Sequence, residues 1–146
     1  MVVFELFFIL YYGLSYHFYI DCFIFYFSYN TPMKVLYLDH NLKIPYCDIL
    51  YLEHFSQYNQ TLHRITILYT KDQKYIMKCK IKDIFSTLDP NDFMMPHQSY
   101  VVNMYYIQVF TQSYLLLDDG TRIPISIKRS ATVRTQFLNY INEKRT

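Results

Sequence analysis

The chain has 146 residues, a formal charge of +2 and 52% hydrophobic against 18% charged residues, a balance that supports a packed core in one domain and excludes wholesale disorder. Its two glycines, Gly13 and Gly120, stand far apart; a dinucleotide-binding fingerprint and a phosphate loop both need closely spaced glycines for backbone approach to phosphate, so neither can be written. Three cysteines, Cys22, Cys47 and Cys79, form no Cys-x-x-Cys pair, which argues against a disulfide framework or a zinc knuckle and suits a reducing cytosol.

Charge is divided unevenly. Residues 1–33 hold Glu5 and Asp21 and no Lys or Arg, while the fourteen basic and ten acidic side chains that follow give residues 34–146 a formal +4. The same first segment carries 13 of the 29 aromatic residues, so a boundary is expected at Thr31-Pro32-Met33. Leu6 to Ile20 and Cys22 to Met33 are two charge-free runs separated by Asp21. A spanning helix wants about 20 apolar residues, and a carboxyl near its centre costs on the order of 2.5–3.5 kcal/mol on insertion scales. No basic region precedes the run and no small-residue cleavage site follows it, which disfavours a secretory signal. Three readings of residues 1–32 stand open: a membrane segment with Lys34 on its cytoplasmic side, upstream sequence ahead of a true start at Met33, or a buried extension of the fold.

From Met33 onward the hydrophobic period is mostly two, which predicts a β-rich domain over residues 33–146. Val35 to Leu38 and Ile49 to Phe55 read as short strands. Thr61 to Tyr69 alternates, Lys71-Asp72 turns, and Tyr75 to Lys80 returns with Tyr75, Met77 and Cys79 on one face, a hairpin. Ile81, Ile84, Phe85 and Leu88 recur at helical spacing and predict one short helix, stopped before Asp89-Pro90 because proline disfavours helical geometry in its predecessor. Ser99 to Asn103, Ile107 to Phe110, Tyr114 to Leu117 and Arg122 to Ser126 read as further strands, the last two joined around Asp118-Asp119-Gly120 by a tight type I′ connection. A closing helix places Val133, Phe137, Tyr140 and Ile141 on one side.

Three stretches of this body, Ile49-Leu50-Tyr51-Leu52-Glu53, His97-Gln98-Ser99-Tyr100-Val101-Val102-Asn103 and Asp119-Gly120-Thr121-Arg122-Ile123-Pro124-Ile125-Ser126, resemble the LytTR family, the DNA-binding output domain of bacterial response regulators. The resemblance covers about residues 34–143. It implies a mostly β domain, with stacked antiparallel sheets of about ten strands, one short internal helix and a C-terminal helix. It also implies double-stranded DNA as partner, read through the major groove at direct-repeat promoter sites, with room for a homodimer on the DNA. Family reading positions fall near His63, on Gln98 and on Lys128. Gln98 can pair bidentately with the adenine N6/N7 edge, Lys128 can donate to guanine O6/N7, and His63 can donate to a base acceptor or a phosphate. Arg64 and Arg129 lie beside two of them and would serve phosphate oxygens, which fix register without reading sequence. Cations at a helix start are unfavourable for the helix dipole, so Lys128 and Arg129 hint at an external anion.

Departures from the family pattern bear on strength. Met95 and Gln98 stand where many members carry basic residues, and the modest +4 predicts weaker binding or reliance on dimeric sites. Nothing before Met33 could hold the aspartate pocket of a receiver domain, so a regulator without a receiver is expected, in the cytoplasm. The competing reading is a membrane-tethered LytTR-like module that regulates a partner protein. His97 and Asn103 are expected to serve structure, Asn103 by satisfying backbone groups in a turn. No catalytic group, metal site or cofactor is expected: Asp118-Asp119 lies on an exposed hairpin tip, His40, His54, His63 and Cys47 lack ligand spacing, and no Ser or Cys stands in a nucleophile-like setting.

Overall fold

The computed structural model describes residues 33–39, 42–55 and 65–144. The chain divides into two units, Met1–Lys34 and Val35–Thr146, and nearly all described residues belong to the second. Among the described residues, ten strands order themselves into three antiparallel sheets. A two-stranded sheet pairs β1 (Val35–Asp39) with β2 (Leu42–Pro45). The central sheet has five strands: β3 (Ile49–Phe55), β4 (Ile65–Thr70), β5 (Lys74–Met77), β6 (Phe93–His97) and β7 (Tyr100–Asn103), in the order β5-β4-β3-β7-β6. A three-stranded sheet holds β8 (Ile107–Phe110), β9 (Tyr114–Leu117) and β10 (Arg122–Pro124) in the order β10-β9-β8. Helix α1 (Ile81–Phe85) lies between β5 and β6, and α2 (Ser130–Lys144) ends the fold. The mostly β architecture with one short and one terminal helix is the one the sequence predicts.

The central sheet is covered on both faces, and side-chain alternation sorts its residues into two cores. Ile49, Leu52, Leu68, Phe93, Met95 and Val101 pack with Leu36 and Ile44 of the two-stranded sheet and with Ile81, Ile84 and Leu88 around α1. Leu50, Tyr51, Met94 and Val102 pack instead against Leu115, Leu117 and Ile123 of the three-stranded sheet and Val133 of α2. A register shift between Ile49 and Tyr51 against β4 explains why Leu50 and Tyr51, though adjacent, enter the same core: the extra residue of a bulge breaks the alternation once. Burying each such aliphatic side chain stabilises the fold by about 1.5–3 kcal/mol before entropy is counted.

Asn103 behaves as its sequence context predicts. Its buried amide donates to the carbonyl oxygens of Tyr46 (3.0 Å) and Ile49 (2.9 Å), and its Oδ1 accepts from the N–H of Tyr105 (3.1 Å), capping the 3-10 turn Met104–Tyr106.

Several local expectations need correction. Strand β6 is absent from the sequence reading because Pro96 demotes it and because Phe93, Met94, Met95 and Pro96 are all buried, hiding the period of two. As the outermost strand of its sheet, β6 tolerates the missing N–H. Strand β2, only four residues ending in Pro45, escapes because it is short and closed by proline. The expected strand Tyr75 to Lys80 stops at Met77, the one from Arg122 to Ser126 stops at Pro124, and Leu88 packs beside α1 in a turn rather than inside it. The β9–β10 connection is not type I′. The Gly120 N–H bonds to the Leu117 oxygen and the Leu117 N–H to the Thr121 oxygen, with Gly120 at φ 84°, which is a three-residue loop closed by a left-handed glycine bulge. Of the expected strand from Thr61, residues 61–64 lie outside the described residues, as does the whole of residues 1–32. Among the described residues no helix is long and apolar enough to cross a membrane.

Candidate nucleic-acid interface

Gln98 sits at the tip of the hairpin that joins β6 to β7. His97 pairs with Tyr100, leaving Gln98 and Ser99 as a two-residue turn. Three interactions hold this turn. The Ser99 N–H donates to His97 Nδ1 at 3.2 Å, the Ser99 oxygen accepts from the His54 N–H at 2.7 Å, and the His97 ring lies 6.0 Å from that of Tyr100. Because Nδ1 is the acceptor, a neutral His97 ring carries its proton on Nε2. His97 thus braces the turn, and Gln98 beside it is exposed.

Beneath the turn lies a polar cluster that sequence reasoning missed. The Glu53 carboxylate accepts from the hydroxyls of Tyr69 (3.1 Å) and Tyr100 (2.9 Å), and Tyr51 stacks on Tyr69 with ring centroids 4.3 Å apart. Burial, reinforced by the neighbouring Glu53, pushes the Tyr100 phenol up to about 12 and raises Tyr69 in the same direction. Tyr51 is raised by burial and by Tyr69. The Tyr69 and Tyr100 phenols therefore stay protonated and donate to Glu53, which links β3 to both of its neighbours beneath the turn. The only advance signal was alternation in β3, which points Tyr51 and Glu53 to one face.

Lys128 lies in the 3-10 turn Ile127–Arg129, between β10 and α2. Two hydrogen bonds tie this turn to β6: the Ser126 N–H donates to the Pro96 oxygen at 3.0 Å, and Arg129 Nη1 donates to the Met95 oxygen at 3.3 Å. Lys128 is exposed and Arg129 half-buried. The turn runs directly into α2, which is held in turn by Gln136, whose Nε2 donates to the oxygens of Pro90 (2.8 Å) and Phe93 (3.1 Å), and by Phe137, stacked on Phe110 at 5.2 Å.

His63 and Arg64 fall outside the described residues, but the strands that carry their loop do not. Phe55 of β3 pairs with Ile65 of β4, and Glu53 of β3 pairs with Tyr100 of β7. Since β3 runs antiparallel to both neighbours, the β3–β4 connection and the β6–β7 turn leave the central sheet at the same end. The structure thus ties the Lys128 and Arg129 turn to the strand that leads into the Gln98 turn, while residues 56–64 lie outside the described residues.

Elsewhere, Asp119 at the β9–β10 tip spends its carboxylate on the N–H (2.8 Å) and hydroxyl (2.9 Å) of Thr121. Among the described residues no group of three or more His, Cys, Asp or Glu side chains could hold a metal ion.

Comparison with known proteins bears on the family and the fold. The "Transcriptional regulatory protein YpdB" of Escherichia coli O6:H1 is 29% identical over 77 residues, 50% of this chain but 31% of that protein, so the match spans about a third of the relative's length. The fold is similar to the LytTr DNA-binding domain of a methyl-accepting/DNA response regulator from Bacillus cereus, with a TM-score of 0.55 and 20% identity over 73% of this chain and 97% of that one. The model of the LytTr DNA-binding domain matches residues 39–138. That span is well over half of the chain, which therefore belongs to the LytTR family of DNA-binding domains.

Proposed function

We propose that this protein is a sequence-specific transcriptional regulator that binds double-stranded DNA in the major groove and performs no catalysis. The observation that carries the reading is the convergence at one end of the central sheet: the Gln98 turn, the Lys128 turn tied to β6, and the strand ends that bear the His63 and Arg64 loop. Gln98 and Lys128 supply base-reading chemistry, His63 a base or phosphate contact, and Arg64 a phosphate contact. Arg129, bonded to the Met95 oxygen, serves chiefly to set the Lys128 turn against β6 and secondarily as positive charge near phosphate. The direct-repeat site then takes one domain per half-site, and the modest charge makes pairing of two copies on the DNA important for affinity. Such a regulator works in the cytoplasm, where the DNA is.

The test is selection of duplex fragments by the purified full-length chain. Enrichment of a repeated motif is expected; retention without sequence preference would overturn the reading. We further place the domain boundary at residue 33, with residues 1–32 outside the DNA-binding unit. Limited proteolysis of the full chain should leave a stable fragment beginning near residue 33 that still binds DNA, and loss of binding on that cleavage would overturn the boundary.

A further inference from the structure

Ile127 is 96% exposed, the most exposed of the large hydrophobic side chains among the described residues. An isolated apolar side chain on a surface is ordinary, but this one is held out by its surroundings. The Ser126 N–H before it is fixed to the Pro96 oxygen, and Arg129 after it is fixed both to the Ser126 oxygen through its backbone N–H (2.9 Å) and to the Met95 oxygen through its guanidinium. A turn pinned at both ends cannot fold its tip back onto the core, so Ile127 and Lys128 together form the projection. One side chain is far too little for a protein interface, which buries about 1,200–2,000 Å². It does match the one apolar feature that the major groove offers, the 5-methyl group of thymine.

We infer that Ile127 is a specificity-determining residue that packs on a thymine methyl while Lys128 contacts the neighbouring base or phosphate. The inference rests on the DNA-binding reading above. It predicts a thymine at a defined position of each half-site, selected by apolar contact rather than by hydrogen bonding.

The test uses the full-length chain and duplexes carrying the motif it selects, in which each thymine in turn is replaced by deoxyuridine, removing only the methyl. Wild-type protein should lose about fourfold in affinity at one thymine of the half-site, the worth of one buried methyl. Ile127→Ala should bind the thymine duplex more weakly by a similar factor and no longer distinguish thymine from uracil there, whereas Ile127→Val should keep most of the discrimination. Because Ile127 is exposed, the Ala variant should keep the wild-type circular dichroism spectrum and melting temperature. An Ile127→Ala protein that retains the wild-type thymine-to-uracil ratio at every position overturns the inference while leaving DNA recognition intact. Retention of DNA without any selected motif overturns the proposed function, and this inference with it.

Discussion

Arg129 donates from Nη1 to the carbonyl oxygen of Met95 at 3.3 Å, tying the entry of the C-terminal helix to the strand that ends in the Gln98 turn. A guanidinium at a helix start is unfavourable for the helix dipole, and in this fold a backbone oxygen 34 residues away offsets it. Arg129→Gln should therefore lower stability by about 1.5–3 kcal/mol, the range for a hydrogen bond to a charged group. It should also weaken cognate DNA binding by loosening the Lys128 turn. Urea denaturation with parallel binding curves checks this; a variant of unchanged stability that loses a full unit of salt slope would mark Arg129 as a phosphate contact instead.

Lys128 is exposed on the same turn. Lys128→Gln should leave stability within about 0.5 kcal/mol of wild type and flatten the slope of log K against log salt by about one unit, because one displaced counterion is no longer released. If the lysine donates to guanine, preference at one position falls as well. Binding curves at four or more salt concentrations decide between these two contacts, and an unchanged slope with unchanged preference would remove Lys128 from the interface.

Gln98 has no part in holding its own turn, which His97 and Ser99 secure. Gln98→Ala should therefore keep the melting temperature and lose discrimination at one base position by about 1–3 kcal/mol, with non-specific affinity hardly changed. Competition between cognate and scrambled duplexes measures the difference. Equal losses on both would make Gln98 a phosphate contact.

Asn103 joins the end of β7 to the 3-10 turn Tyr46–Asp48 and the start of β3 through two hydrogen bonds, and accepts a third from Tyr105 in the turn that follows β7. Asn103→Ala leaves the buried Ile49 oxygen, and the part-buried Tyr46 oxygen and Tyr105 N–H, each short of one partner. At about 1–3 kcal/mol for a buried group left unpaired, the expected loss of stability is about 3 kcal/mol. A variant with a wild-type urea midpoint would show that water replaces the amide without cost.

Alkaline stability should report the tyrosine cluster beneath the Gln98 turn. Burial and Glu53 raise the Tyr100 phenol from its ordinary value of 10.0 to about 12. An acid whose folded pKa lies above its unfolded one contributes stability that is whole below the unfolded value and lost as pH climbs through the folded one. The urea midpoint should accordingly fall between about pH 10 and pH 12, steepened by Tyr69 and Tyr51, which shift the same way. Tyr100→Phe should make that fall shallower; an equally steep fall would assign it to other groups.

Much of the fold was legible in the chain. Hydrophobic alternation marked β1, β3, β7, β8 and β9, helical spacing marked α1 and α2, and the Asp-Gly pair marked the β9–β10 connection, because each depends on neighbours within a few residues. Local signals ended where pairing at long sequence separation began. Strand β6 is visible only once both faces of the central sheet are covered, since full burial erases its alternation and an edge position makes Pro96 harmless. The bulge that turns Leu50 and Tyr51 into one core is set by register against β4. Glu53 meets Tyr69 and Tyr100 only because β3 lies between β4 and β7. The candidate interface divides in the same way: resemblance to the family nominated Gln98 and Lys128, with Arg129 as a basic neighbour, while the bonds from Ser126 and Arg129 to β6 separate the exposed Ile127 and Lys128 from an arginine held against Met95. Side-chain chemistry is written residue by residue in the sequence, whereas which side chains project and which are tied down is a property of backbone groups meeting across the sheet.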